Sequence, residues 1–586
     1  AVVIHGDAAR IHAALDPATP SASVPQTMPA ARPPVQPAAA DGALQGRLED
    51  YLKGLLSIEI KLPVERIDAQ ERFEAYGVDS MMIARINAAL ERDLGALPKT
   101  LFYEHESIET LAAYLVRDAG AELLHRFDNE GVSVSPAPAM TLPTTTVAAT
   151  HAIAAAAPVA AIREVAGSER VVAAATAAET MPVARKGDGR IAIIGTHVSL
   201  PQSPSLHALW EHLRNGRDLV GPVPPSRWDA DAFHDPDPAR AADGRIYCRT
   251  GGFLDDVDAF DAAFFGIPDA DADAMDPQER LFLQSAWAAI EDAGYTRDGL
   301  RERHPRGRGV DAGVFVGVTT NTYSQLTPEE WRRGRAVNAG AMPWSIANRV
   351  SYVFDFQGPS LPIDTACSSS LVAIQMACES LRRGECAIAL AGGVNLYLHP
   401  AKYHSLCARR MLAEHGRCRS FGAGDDGFVP GEGVGTLVLK PLAQAQDDGD
   451  HIHGVIAGGA HAHSGRANGY SAPNPVSQAA VIAAALADAG VDADAIGYVE
   501  GHGTGTQLGD GLELVSLANA FSGRSADAGP CAIGSVKANV GHGESAAGIA
   551  GIARVLLQLR HRMLVPTLHS DPANPDIDFE SSPFRL

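Results

Sequence analysis

The apolar positions of this chain follow two different periods, separated by stretches with no period at all. Within residues 46–118 they recur at helical spacing: Leu48, Tyr51, Leu52 and Leu55, then Met82, Ile83, Ile86 and Leu90 behind Ser80, then Ile108, Leu111 and Leu115 behind Ser107. That pattern predicts a small bundle of three helices. From residue 190 the signal changes to short, continuous, largely β-branched runs at 191–195, 313–317, 387–391 and 435–439, alternating with helical stretches such as 280–293. Runs of this kind are buried strands layered with helices, an α/β arrangement. Residues 1–45 and 119–189 are rich in Ala, Pro and Thr without periodicity and read as linkers. The expected division is a linker over 1–45, a helical domain over 46–118, a second linker over 119–189 and an α/β domain over 190–586.

Composition narrows the classes. A length of 586 residues exceeds what one core usually serves. The net charge of −22 argues against nucleic acid or an anionic membrane as partner. Seven cysteines without a CxxC pair make no disulfide framework and suit a reducing cytoplasm. No apolar run approaches the ~18 residues that would predict a membrane span. The chain opens with Ala1 rather than Met and reads as a piece of a longer polypeptide.

One cysteine stands apart. Asp364-Thr365-Ala366-Cys367-Ser368-Ser369-Ser370-Leu371 sets a thiol among small residues ahead of the helical run Leu371, Val372, Ile374, Ala377 and Leu381. A thiol at a helix N-terminus feels the positive end of the helix dipole, which favours thiolate, and neighbouring hydroxyls are placed to cap the helix. A buried structural cysteine is the bland alternative, and Cys248, Cys378, Cys386, Cys407, Cys418 and Cys531 are read that way. Two further stretches, Glu500-Gly501-His502-Gly503-Thr504-Gly505-Thr506 and Lys537-Ala538-Asn539-Val540-Gly541-His542-Gly543-Glu544, each set a histidine among turn-forming residues. One cysteine with two such histidines is a nucleophile with candidate proton-transfer and oxyanion partners. The paired histidines His451/His453 and His461/His463 have no cysteine or carboxylate completing a set, so no metal site is expected.

These three blocks, together with Asp276-Pro277-Gln278-Glu279-Arg280, residues 354–360 and Pro430-Gly431-Glu432-Gly433, resemble the β-ketoacyl synthases, specifically the ketosynthase domains of modular polyketide synthases. The resemblance implies a thiolase-like fold of two similar halves in five αβαβα layers, usually a homodimer. It implies Cys367 as the acyl-accepting nucleophile, His502 and His542 as donors that stabilise the enolate formed by decarboxylation, and Lys537 and Glu544 as residues ordering the histidine pair. Phe73-Glu74-Ala75-Tyr76-Gly77-Val78-Asp79-Ser80-Met81-Met82 and Thr100-Leu101-Phe102-Tyr103-Glu104 resemble acyl carrier proteins, which implies 4′-phosphopantetheine carried covalently on Ser80. Residues 47–118 hold nine basic against fourteen acidic residues, a balance of −5 that suits docking on basic partner surfaces.

The function so implied is decarboxylative Claisen condensation in polyketide chain assembly. The carrier would hand its chain to Cys367, and a malonyl-type extender would sit on a downstream carrier. Residues 392–400 resemble systems whose acyltransferase acts in trans, and a phosphopantetheinyl transferase is a further implied partner. Two other readings stay open: a non-elongating ketosynthase that only passes the chain on, and a catalytically silent carrier and docking fragment. Three departures stand near the expected site: Gly511 where the family usually has Pro, Gly543 where it has Leu, and Gly422 where it has Asp. The chain also stops at Arg585-Leu586, ahead of a Gly-Phe-Gly-Gly-Thr-Asn loop that supplies an oxyanion donor in the family, so the ketosynthase is expected to be C-terminally truncated.

Overall fold

The computed structural model describes residues 2–4, 39–60, 62–76, 80–94, 101–105, 107–118, 189–424, 426–465, 473–506 and 508–586. The 119–188 linker and the Gly77–Asp79 part of the proposed attachment loop lie outside the described residues. The helical domain consists of α1 (Ala39–Ile60), α2 (Ser80–Leu94), the short α3 (Leu101–Glu104) and α4 (Ile108–Asp118). Of the expected periodic positions, Leu48, Tyr51, Leu52, Leu55, Ile83, Ile86, Leu90, Ile108, Leu111 and Leu115 bury in one apolar cluster with Phe73 and Phe102, whose rings stand 5.0 Å apart, while Met82 packs against it partly buried. Helix α1 begins at Ala39, ahead of the boundary expected at 46. The residues before Leu48 carry little apolar patterning, so periodicity did not report them.

The larger domain is built on a mixed seven-stranded sheet formed by β1 (Val2–Ile4), β2 (Ile191–Ser199), β3 (Ala312–Gly317), β4 (Ser360–Ile363), β5 (Ile388–Asn395), β6 (Gly433–Pro441) and β7 (Gly454–Gly459), in the order β1-β7-β2-β6-β5-β3-β4. All four expected runs are strands. Strand β1 corrects the reading of 1–45 as linker throughout: Val2-Val3-Ile4 pairs antiparallel with β7 at the sheet edge, a signal only three residues long. A second, parallel sheet joins β8 (Tyr498–Glu500), β9 (Cys531–Gly534) and β10 (Phe584–Arg585).

Five layers result. Helices α5 (Pro277–Asp292) and α6 (Pro343–Phe354) pack through Phe282, Ala286, Ile290, Ile346 and Val350 on one face of the large sheet. Helices α7 (Ser369–Arg382) and α11 (Ala547–His561) fill the middle layer through Ile374, Ala377, Ile549, Ala553 and Leu556. The small sheet follows, covered by α9 (Pro475–Ala489) and α10 (Gly509–Ala520) through Leu486, Leu514 and Leu517. Glycines let the middle layer close: a Cβ on Gly317 would stand 2.6 Å from the Ser370 backbone nitrogen, and one on Gly393 2.6 Å from the Ser545 carbonyl oxygen.

A buried ion pair ties the Pro430-Gly431-Glu432-Gly433 block to this frame. The Glu432 carboxylate receives Arg227 through both oxygens and also accepts the N–H groups of Leu254 and Tyr397. Its side chain is wholly buried and that of Arg227 nearly so. Removing one member strands the other without water, so Glu432→Ala is expected to destabilise the domain by about 3–5 kcal/mol. Calorimetric melting checks this, and an unchanged Tm would contradict it.

Candidate active site

Strand β4 delivers the cysteine. Beyond Ile363 the chain turns through Asp364, Thr365 and Ala366 into α7, and Ala366 adopts a left-handed φ of 54°. That conformation costs a non-glycine residue about 1–2 kcal/mol, and side chains hold it. Asp364 Oδ1 accepts the Ala366 N–H at 3.0 Å and the Thr319 hydroxyl at 3.1 Å. Ser369 Oγ accepts the Thr365 N–H at 3.0 Å and donates to the Ala366 carbonyl at 2.6 Å. The hydroxyls thus pin the elbow. They do not cap α7 as the sequence suggested, since the cap position Ser368 makes no side-chain cap bond. Cys367 stands half-buried at the tip, in the 3-10 turn Ala366–Ser368 that leads into α7. N–H groups of a first turn have no partner inside their helix, which is what a developing oxyanion requires.

The two histidines reach the cysteine from the other half of the domain. Cys367 Sγ and one ring nitrogen each of His502 and His542 lie within 4.8 Å of one another. The imidazole rings meet edge to face at 5.4 Å. His502 follows β8, and its loop is held by two carboxylates of α10. Glu513 accepts the N–H groups of His502 and Gly503 at 2.5 and 2.8 Å, while Asp510 accepts those of Thr504, Gly505 and Phe421. His542 is fixed through its backbone, donating to the Val429 carbonyl at 2.7 Å and accepting from Gly431 at 2.9 Å. Its Nδ1 accepts the Glu544 N–H at 3.0 Å, so the neutral ring carries its proton on Nε2.

Beyond that backbone bond to His542, Glu544 is engaged through its side chain. It sits at a left-handed φ of 41°, and its carboxylate accepts the Tyr397 hydroxyl at 2.6 Å, the Thr320 hydroxyl at 3.2 Å and the Lys402 ammonium at 2.8 Å. Lys537 is buried in the short helix Lys537–Val540, and its charge acts on the cysteine and both rings.

Electrostatics correct one expectation. Burial, with the Glu544 carboxylate second, raises the Cys367 thiol above its ordinary value against the opposing pull of Lys537 and Lys402. The helix N-terminus therefore does not leave a resting thiolate. Desolvation, then Lys537, lowers His502 to about 3. Desolvation lowers His542 as well, with Lys537 next. Both rings are neutral near pH 7.

Ser80 opens the fifteen-residue helix α2. A helix N-terminus offers backbone N–H groups and a positive dipole end to a phosphodiester, so the position fits a phosphopantetheine anchor. Of the departures, Gly511 has nothing within 4 Å of a built Cβ, so the site loses no packing there. Gly422 is required: a Cβ would lie 2.3 Å from the His569 carbonyl oxygen. Of His451, His453, His461 and His463, His453 pairs with Asp292 at 2.8 Å. Lys402, Tyr397, Thr320 and Glu513 were not singled out in the sequence. For Glu513 a signal existed, an acidic residue eleven positions beyond a histidine whose glycine-rich loop leaves backbone N–H groups to satisfy.

The β-ketoacyl synthase N-terminal domain profile matches residues 188–445, the C-terminal domain profile 453–571, and the phosphopantetheine attachment site profile 50–115. Polyketide synthase PksL of Bacillus subtilis is 45% identical over 553 residues, covering 92% of this chain and 12% of PksL. Polyketide synthase ThaG of Burkholderia thailandensis is 48% identical over 540 residues, covering 91% of this chain and 9% of ThaG. The chain therefore spans about a tenth of the length of these relatives. Among solved structures, the oxazolomycin ketosynthase domain OzmH KS7 of Streptomyces albus JA3453 superposes with a TM-score of 0.65 at 46% identity, covering 68% of this chain and 67% of that one. The ketosynthase from module 6 of the bacillaene synthase of Bacillus subtilis 168 gives 0.61 at 40% identity, covering 68% and 66%.

Proposed function

The chain belongs to the β-ketoacyl synthase family, with a phosphopantetheine attachment domain ahead of the synthase, and on that footing we propose that it extends a polyketide chain by decarboxylative condensation. The observation that carries the reading is the approach of Cys367 Sγ and the His502 and His542 nitrogens to within 4.8 Å.

Phosphopantetheine on Ser80 supplies the thiol that holds the acyl chain. Loading forms the Cys367 S–acyl bond and breaks the carrier thioester, and the Cys367 proton passes to the departing thiol. The site must help that proton leave, because the resting thiol is protonated. In the second step a malonyl-type thioester on another carrier loses CO2, and the carbanion left behind attacks the acyl carbon. A β-ketoacyl thioester forms, and the Cys367 sulfur departs and regains a proton. Neutral imidazoles serve the enolate: each can donate an N–H to the thioester oxygen as negative charge develops there. Burial, with the Lys537 charge second, keeps them neutral, while Glu513 holds the His502 backbone and the Glu544 N–H holds the His542 ring through Nδ1. His502 beside Cys367 supports elongation over simple transfer. All three groups have roles in this scheme without a metal.

The remaining elements follow from the same reading. The enzyme is an acyltransferase whose substrates are acyl and malonyl-type thioesters on carriers, here and downstream. A phosphopantetheinyl transferase modifies Ser80, and an acyltransferase acting in trans loads the extender. Strand β4 is an edge of the large sheet, with Leu361 exposed on it and Tyr352 (80% exposed) and Trp344 exposed on neighbouring α6, which supports a homodimer across that edge. Among the described residues no helix is long and apolar enough to cross a membrane, and all seven cysteines are free, which supports a cytoplasmic setting. The division into 46–118 and 190–586 domains stands in this proposal, with α1 reaching back to Ala39.

The carrier half has its own test. Incubated with a phosphopantetheinyl transferase and coenzyme A, the chain is expected to gain the mass of one phosphopantetheine, and Ser80→Ala none. Gain of that mass by Ser80→Ala would contradict the assignment.

A further inference from the structure

The carboxylate of Glu544 stands in the middle of the site without contributing to the reaction as derived, and it carries an unusual load. It is nearly buried, its backbone is held in the left-handed region, and three donors from three separate segments converge on it. Two of them, Tyr397 and Thr320, are neutral and cannot offset a buried negative charge next to a thiol that must become anionic. The third can. Lys402 lies on α8 (Ala401–Ala408), its Nζ 2.8 Å from Glu544 Oε2, with its side chain 26% exposed against 7% for the glutamate. The ammonium thus reaches inward from the rim of the site to a carboxylate that water scarcely touches.

The geometry points to Lys402 as a positioning residue of the condensing site: its ammonium neutralises and orients Glu544, and through Glu544 it holds His542 with the proton on Nε2 and leaves room for negative charge on Cys367. The link to His542 is the Glu544 N–H donated to Nδ1, which requires the strained Glu544 backbone to stay where its carboxylate anchors hold it. The link to Cys367 is charge: Glu544 opposes ionisation of that sulfur, and Lys402 opposes Glu544. The groups facing the thiol are therefore Glu544, Lys402, Lys537 and the two neutral rings. This inference rests on the functional reading above in taking Cys367 as the nucleophile.

The test uses the full chain and needs no condensation activity. The rate of Cys367 alkylation by iodoacetamide is followed by peptide mass spectrometry from pH 6.5 to 10. In Lys402→Met the profile is expected to move to higher pH, with alkylation at neutral pH about tenfold slower, as for one unit in the thiol's titration. Lys402→Arg should restore the wild-type profile, and Lys402→Met/Glu544→Gln should return it most of the way by removing the charge left unbalanced. Lys402→Gln, closer in shape, serves the same comparison if the methionine variant does not fold. Coinciding profiles for the wild type and the uncharged variants would overturn the inference, as would an arginine variant as slow as the methionine one. Failure of the functional reading looks different: Cys367 in the wild-type chain would then alkylate no faster than the six buried cysteines.

Discussion

Cys367→Ala is expected to abolish acyl transfer within this chain while leaving the fold intact. An acyl group loaded on the Ser80 arm should stay there, and both acyl-enzyme formation and condensation should fall by at least about three orders of magnitude. No other sulfur can substitute, because the six remaining cysteines are buried in cores away from the histidine pair. The structural cost is small. Alanine accepts the elbow's backbone, and the bonds that hold that elbow come from Asp364, Thr319 and Ser369 and not from the thiol. A melting curve within a few degrees of wild type separates loss of chemistry from loss of structure. The sign of the pH dependence follows from the same site. With the thiol raised above its ordinary 9.0, loading of the wild-type chain should still be rising as pH passes 9. The histidines, lowered from 6.5, should add no loss between pH 8 and 6. Persistent acyl transfer in the alanine variant would remove Cys367 from the mechanism.

His502→Ala should divide the reaction in two. Loading of Cys367 exchanges one thioester for another, and the first turn of α7 can receive its oxyanion. Condensation additionally generates an enolate, which needs a neutral donor that His542 alone cannot duplicate in place. Loss of one such donor typically costs about 10²–10³ in rate. The expected result is acyl loading within about threefold of wild type and condensation lower by that factor, chiefly in kcat. The backbone of His502 is tethered by Glu513, so truncating the ring leaves its loop in place. Acyl loading and product are read separately by mass. Equal loss of both steps would mean that His502 serves loading instead, and unchanged condensation would mean that it serves neither.

The elements legible in the sequence were those written in short-range patterns. Period 3.6 marked the buried faces of α1, α2 and α4, and β-branched runs marked β2, β3, β5 and β6, because each pattern is complete within a few residues of the chain. Cys367, His502 and His542 were legible because each lies in a local context of small residues that brings the backbone close to a ligand. What stayed hidden depends on residues far apart in sequence meeting in space. Thr320, Tyr397 and Lys402 each look ordinary where they stand, and only the meeting of α8 and the segments that follow β3 and β5 with the His542 turn brings them to one carboxylate. The raised Cys367 thiol is of the same kind: the helix start is local and visible, while the burial and the Glu544 charge that outweigh it are not. Strand β1 failed for the opposite reason, being too short for any period to register.

The passage of one acyl group from Ser80 through Cys367 can be followed by mass. The chain is converted at Ser80 to its phosphopantetheine form, loaded with an acyl group, and sampled at the peptides carrying Ser80 and Cys367 before and after a malonyl-loaded carrier is added. The acyl mass is expected to move from Ser80 to Cys367, then to leave Cys367 as a β-ketoacyl chain two carbons longer on the added carrier, with CO2 released. An acyl group that stays on Ser80, or that settles on any residue other than Cys367, would contradict this expectation.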